Sequence, residues 1–464
     1  MSLPPKPGGG REGGEGPCYE NPMSAIESPV LPRPDPDHDA RTVAALARAI
    51  RETPYYQSRG LVPPVPGTPL ADALARLPLL TKKDVRATLP KQWVQPGRDT
   101  RGEITSGALE LVETSGSTGE RLRVLWDEGW WPRQETRAMR TNARVAAALD
   151  GGLGPYRESV LTSPECGVGV CHYGDVPYEE RKDETHLWIS QRPDPLYWSD
   201  DEQTRMLDEL ARHGTIGLES DPFYLSVLSR FALAHGRKLE VRGFVQLTYA
   251  FTSRAFLRAI QQGFDGQVLQ LYGASEVGVL FMEGTDGRLH HAPFTTHVEL
   301  LPARVPTPGA KDVALVVVTT LDRRAMPLVR FVVGDLVQVD REGPRAFTTV
   351  PSLMSVEGRV DDAILRPDGA LVTAGALDRA IGAPDGLTAW QAHQPAPGVV
   401  AIDVVASSDA ARAADDLLAR VRPLFAGMDV TARPVTAVAV EASGKLRVSK
   451  RDFAVDLSRC FEGA

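Results

Sequence analysis

Between residues 201 and 273 the chain alternates helix and strand, with each boundary marked by a capping or turn residue; that pattern restricts it to folds built on a largely parallel sheet. The segment DEQTRMLDELARHG from Asp201 reads as a helix closing at Gly214, with Met206, Leu207 and Leu210 on one face and His213 in the last turn. Asp221 is a natural N-cap, Pro222 suits the first helical position, and FYLSVLSRFALAHG runs on to a terminating Gly236. VRGFVQLTYA then reads as a buried strand, Ser253 is placed to cap RAFLRAIQQGF, and VLQLYG is a second strand ending at a glycine. The result is helix, strand, helix, strand, the repeat unit of an α/β domain.

The rest of the chain is organised differently. After Gly287 come strands with short turns (HVELL, VALVVVTTL, LVRFVVGDLVQV), for which a second, partly antiparallel β layer is expected. Beyond Gly358 a turn at Arg366-Pro-Asp-Gly369, a helix over 375–381 and another over 410–422 predict a small α+β domain. At the other end, nine prolines and six glycines crowd the first 40 residues. Their few apolar neighbours cannot offset the ordering entropy, so 1–36 is expected to be a disordered tail. A length of 464 residues exceeds what one core serves. The expected division is therefore tail 1–36, a large α/β domain 37–357 with mixed sheets, flanking helices and a β-rich subdomain, and a small α+β domain 358–464.

Charge and cysteine usage narrow the function. A net charge of −8 with no dense Lys/Arg stripe argues against a nucleic-acid binder. No run of about 18 apolar residues occurs, and the N-terminus carries a Gly/Pro run where a signal peptide needs an apolar stretch. A cytoplasmic location away from membranes is the expectation. The four cysteines, Cys18, Cys166, Cys171 and Cys460, are too scattered for a disulfide framework and read as reduced thiols.

The strongest local signal follows the apolar stretch 109–112: Glu113-Thr-Ser-Gly-Ser-Thr-Gly-Glu-Arg-Leu-Arg123. Gly116 and Gly119 let the backbone turn tightly against a polyanion, while Thr114, Ser115, Ser117 and Thr118 offer hydroxyls and amides to phosphate oxygens. It is not a Walker loop, which needs a Gly-Lys-Ser/Thr ending, and by itself it is as readily a polar solvent turn. Further motifs lie downstream in order: Tyr272-Gly-Ala-Ser-Glu276, Gly334-Asp335, Gly358-Arg-Val-Asp-Asp362 and Ser443-Gly-Lys445. Together with Leu77-Pro-Leu-Leu-Thr-Lys-Lys-Asp-Val-Arg86, Thr319-Thr-Leu and Ala325-Met-Pro-Leu-Val-Arg330, they resemble the successive core motifs of the adenylate-forming superfamily. That superfamily contains acyl- and aryl-CoA ligases, adenylation domains and luciferases. The phenylacetate-CoA ligase-like branch is the nearest in pattern, and the resemblance runs from about residue 70 to the C-terminus.

The resemblance implies an ATP- and Mg²⁺-dependent, AMP-forming ligase with a mobile C-terminal lid, acting on a carboxylic acid, most readily an aromatic one. A carboxylate attacks the α-phosphorus of ATP, pyrophosphate leaves, and an acceptor then displaces AMP; such chemistry asks mainly for positioning and charge stabilisation. It implies that the loop 114–119 holds the β- and γ-phosphates, that the Tyr272 ring lies on the adenine with Gly273 passing beneath it, and that Ser275 lies beside the nucleotide. It makes Glu276 the Mg²⁺ ligand, Asp335 the ribose acceptor, Arg359 a ribose or phosphate contact, and Asp361 the hinge. Lys445, rather than Lys450 or Arg451, is the implied catalytic residue, stabilising charge that grows on the α-phosphate. Outside that context Glu276 reads as a helix N-terminal charge, Asp335 as a turn aspartate and 358–362 as a charged linker.

Some stretches depart from the pattern. Arg121, Leu122 and Arg123 stand where a proline is usual, and an arginine there suits phosphate in a planar fork. Gln246 to Ser253 is bulky where an adenine-contact turn is usual, so Tyr249 and Phe251 are read as walls of a pocket for a flat substrate, with plain core as the alternative. Pro367-Asp-Gly369 is stiffer than a lid loop along which pantetheine lies. CoA is the implied second acceptor; an amine, a carrier-protein thiol or a nitrogen nucleophile such as nitrite are alternatives, as is a nucleotide-binding regulator without catalysis, against which both Glu276 and Lys445 argue. Cys166, Cys171 and His172, with His186 beyond, have a C-x₄-C-H spacing unlike the usual zinc sites and are read as a pocket wall, zinc being the alternative. His290, His291 and His297 are read as structural.

Overall fold

The computed structural model describes residues 36–114, 121–164, 173–339 and 352–464. The expected tail, apart from Pro36, lies outside the described residues, as do Ser115, Gly116, Ser117, Thr118 and Gly119 and the trio Cys166, Cys171 and His172.

The alternating segment folds as its punctuation dictates. Helix Asp200–His213 starts on a Ser199 capping box and stops at Gly214 in the left-handed conformation. Helix Pro222–Ala234 is capped by Asp221, whose carboxylate accepts from the Phe223 amide at 2.8 Å, and helix Arg254–Gly263 by Ser253. These helices connect the parallel strands Glu158–Leu161, Gly217–Ser220, Phe244–Leu247 and Gln267–Ala274, with His186–Trp188 on the edge. The mixed α/β class read from the sequence is the one observed.

The antiparallel strands are not a separate layer. After Gln267–Ala274 the chain reverses within a few residues, and Gly278–Glu283 pairs antiparallel with the strand it has just left. Hydrogen bonding then continues through Leu289–His291, Ser352–Arg359, Phe331–Val339, Val313–Thr320 and Thr296–Pro302, giving one sheet of eleven strands. The reversal makes Gln267–Ala274 the seam between the parallel and antiparallel halves. Tyr272 and Gly273 lie at that seam, at the carboxyl end of the last parallel strand.

Residues beyond 358 form a four-stranded sheet in the order Asp429–Pro434, Val399–Ala406, Leu387–Ala396, Ser449–Arg451, with helices Ala374–Ile381 and Ala410–Val421. The predicted turn at Arg366–Gly369 closes a two-stranded ribbon, with the Gly369 amide donating to the Arg366 carbonyl at 3.0 Å. One apolar core runs from Leu161, Leu207 and Phe256 to Ile364, Trp390 and Leu446 without a break at 358. Polar ties cross the same boundary: Arg230 donates to the Thr388 carbonyl at 2.9 Å, and the Arg254 amide to Asp378 at 3.1 Å.

Candidate active site

The loop-bearing hairpin is built from strands Leu109–Glu113 and Arg123–Asp127 in antiparallel register. Thr114 fastens its mouth: its amide donates to the Leu122 carbonyl at 2.8 Å and its hydroxyl accepts from the Leu122 amide at 3.0 Å. Arg121 and Arg123, read as a phosphate fork, both turn to Glu113, at 3.7 and 2.7 Å. Their charges hold its carboxyl below the usual range, Arg123 contributing most.

Two side chains tie this hairpin to the turn 272–276. The Trp126 indole donates to the Ser275 carbonyl at 3.0 Å, and the fully buried Arg323 guanidinium bridges the carbonyls of Leu125 and Glu276. Glu276 is 3% exposed and its Oε1 lies 2.9 Å from Lys82 Nζ. Burial works against its charge, yet Lys82 outweighs it and holds the carboxyl below its ordinary value. Lys82 opens helix Lys82–Thr88, capped by Thr81, and the preceding Leu80 is pinned to the sheet by backbone bonds to Arg330 and Val332. Lys82 belongs to the Thr81-Lys-Lys-Asp84 string of the resemblance, yet its partner was not legible there. Trp126 and Arg323 carried no signal beyond their place near the motifs.

At the seam of the sheet, the Tyr272 hydroxyl donates to Asp335 Oδ2 at 2.9 Å, and Arg359 Nε lies 3.4 Å from Asp335 Oδ1. Register explains the meeting, since Asp335 and Arg359 are directly paired across their strands. Burial and the Asp335 charge keep the tyrosine hydroxyl protonated. Gly273 is required by its neighbour strand, because a β-carbon there would sit 2.6 Å from the Gly278 carbonyl oxygen.

Tyr272, Gly273, Asp335 and Arg359 share a cleft of about 340 Å³ with Tyr249, Phe251 and Lys445. Lys445 Nζ donates to the Tyr249 carbonyl at 3.4 Å and stands 5.7 Å from the centre of that ring. Below it lies Asp221, whose carboxyl burial pushes up to about 6 while the Lys445 charge pulls it down. Arg451, by contrast, is buried on the carbonyls of Val360 and Ala363 and does not line the cleft. Asp361 is exposed in the turn 360–363; the adjacent Asp362 takes Arg447 Nε at 2.8 Å, and its carbonyl accepts from Ser449. Neither Asp362 nor Arg447 was singled out from sequence. Among the described residues no three His, Cys, Asp or Glu side chains are arranged to hold a metal ion. His291 and His297 are buried beside His38.

No protein-family model and no curated protein matches the chain. Solved structures do. A 2-hydroxyisobutyryl-CoA ligase in the postadenylation state with an acyl-AMP matches at TM-score 0.64 and 17% identity, over 89% of each chain. The same ligase with acyl-AMP and CoA in the thioesterification state matches at TM-score 0.50 and 17% identity, over 90% of each chain. An anthranilate CoA ligase with anthranoyl-AMP matches at TM-score 0.50 and 11% identity, over 73% of this chain and 65% of that one. By this likeness the chain has the fold of the adenylate-forming ligases.

Proposed function

We propose that the protein activates a carboxylic acid with ATP as an acyl adenylate and passes the acyl group to an acceptor, CoA being the favoured one. The observation that carries this is the delivery of Lys445, from the far end of the chain, into the cleft that already holds Tyr272, Asp335 and Arg359. A carboxylate oxygen of the acid forms a bond to the α-phosphorus as the bond to the pyrophosphate oxygen breaks. Lys445 stabilises the negative charge that spreads over the phosphoryl oxygens at that moment. The acceptor thiol then attacks the acyl carbon and expels AMP.

Within this reading, Asp335 accepts from the ribose hydroxyls, steadied by Tyr272 and Arg359, and the hairpin loop closed by Thr114 receives the distal phosphates. Glu276 fits a Mg²⁺ ion because it is an oxygen donor held ionised beside the nucleotide cleft. Bound there, Mg²⁺ would neutralise charge on the phosphates, and Lys82 would be left free to contact them. The activation step is tested by pyrophosphate exchange into ATP across a panel of aliphatic and aryl acids, with and without CoA. Exchange with at least one acid is expected; its absence with all of them counts against acid activation, and exchange without thioester formation counts against CoA.

A further inference from the structure

Against the helix-covered face of the parallel strands, beside the cleft, lie three acids that the reaction above does not use. Side chains alternate along a strand, and Val160, Glu219 and Gln246 are directly paired in register on three neighbouring strands. Glu158, two residues before Val160, shares their face. Its Oε2 accepts from the Tyr156 hydroxyl at 2.8 Å, and it exchanges a hydrogen bond with Glu219. Glu135, from the helix Trp130–Met139 that covers this face, is close enough to repel both.

Among the described residues no lysine or arginine forms an ion pair with any of the three; the Tyr249 hydrogen bond, and His186 paired opposite Glu158, only partly offset the rise at Glu219. Burial first, and the neighbouring carboxylates second, raise the carboxyls of Glu135 and Glu219, the latter to about 8. A second observation points into the same place. Gln246 is 1% exposed, it sits directly opposite Glu219, and neither its amide oxygen nor its amide nitrogen has a hydrogen-bond partner. A buried amide left so is costly unless something fills its bonds.

Tyr249 links the acids to the reacting end. The Tyr249 side chain hydrogen-bonds Glu219, while its backbone carbonyl accepts from Lys445. A ligand with its carboxylate under Lys445 and a cation at Glu219 would thus span about one tyrosine residue, carbonyl to hydroxyl. The described acids have no metal-holding arrangement, which favours an organic cation.

We propose that Glu135, Glu158 and Glu219, with the unbonded Gln246 amide beside them, form a cation subsite that selects carboxylic acids bearing a protonated nitrogen, such as a primary ammonium. The proposal rests on the acid-activating reading above and names its substrate class. The cation displaces protons held by the acids, so preference for it rises with pH towards about 8, where Glu219 titrates. The groups facing the three acids are Tyr156, Tyr249, Trp131 and His186. Burial holds the Tyr156 hydroxyl protonated over that range.

The test is pyrophosphate exchange with matched pairs, 4-(aminomethyl)benzoate against 4-ethylbenzoate and 6-aminohexanoate against heptanoate. The ammonium member of a pair is expected to exchange at least about tenfold faster. Glu219→Gln and Glu135→Gln should each bring that ratio towards one while leaving thermal stability equal or higher, since a glutamine is spared the cost of protonating the acid on folding. Calorimetry of the wild-type protein in two buffers should show net proton release on binding the ammonium acid. Preference for the neutral members, or a ratio untouched by both variants, overturns the proposal. Exchange indifferent to the amine, with free amines speeding consumption of the adenylate, overturns it too and places the nitrogen on the acceptor. No exchange with any acid removes the activation reading instead, and proton release on binding still decides the subsite.

Discussion

Replacing Lys82 by Met should destabilise the protein by an amount set by pH. At 2.9 Å and an effective dielectric of ~20, the attraction between Lys82 and Glu276 is about 6 kcal/mol before desolvation is counted. Without the lysine, Glu276 stays buried and escapes the cost of its charge by taking a proton. From an ordinary value of 4.5, protonation at pH 7 costs about 3.4 kcal/mol, at 1.36 kcal/mol per pH unit, and at pH 5.5 about 1.4 kcal/mol. The loss is therefore expected to grow from about 1.4 to about 3.4 kcal/mol over that range, the upper figure matching the usual cost of breaking a buried pair. The sign agrees with the wild-type glutamate, whose lowered carboxyl lends stability above its ordinary value and loses it as pH falls. Urea unfolding followed by tryptophan fluorescence, from about pH 5.5 to 7.5, reads this for Lys82→Met and for Lys82→Met/Glu276→Gln. The double variant should return to within about 1 kcal/mol of wild type. A loss that does not vary with pH, or one the second substitution fails to relieve, refutes the reasoning.

Other substitutions probe the surroundings. Gly444 has φ +78°, and a β-carbon there would overlap the Pro193 carbonyl and the Tyr224 hydroxyl, so Gly444→Ala should displace Lys445 and cut exchange by about a hundredfold; a near-normal rate would mean this turn does not place the lysine. Arg379→Met removes the 2.6 Å partner of the fully buried Glu357 but leaves its bonds from Ser355 and Thr373. Thermal or urea unfolding should show a loss of about 2 kcal/mol, less than for an unsupported charge. Burial lowers His291 and lowers His297 to about 3, so both stay neutral in the fold while the unfolded chain binds protons below about pH 6.5. Stability should fall as pH drops from 6.5 towards 3, and His297→Leu should flatten that decline in a series of melting curves.

The segment 201–273 was legible because caps and terminating glycines are local chemistry: Ser253, Asp221 and Gly214 each do in the fold what their type suggests. The single eleven-stranded sheet was not, because the pairing of Ser352 with His290 joins segments far apart in sequence and is decided by which edge a reversing strand takes. The same distinction divides the site. Tyr272, Asp335, Arg359 and Lys445 stand in short ordered motifs, whereas Lys82 earns its place only through a glutamate remote in sequence. Glu158 and Glu219 did leave a trace, as acids within strands otherwise made for burial, but Glu135 joins them by helix packing alone. Arg121 and Arg123, whose type suits phosphate, lie beside Glu113, a neighbour that the local reading did not anticipate.

The central claim is that Lys445 supplies the charge that carries the activation step. Pyrophosphate exchange by Lys445→Ala, with the best acid of the panel and alongside ATP binding by the same variant, measures this most directly. A loss of exchange of about a hundredfold or more with ATP binding largely retained is the predicted result; exchange at the wild-type rate would contradict the account.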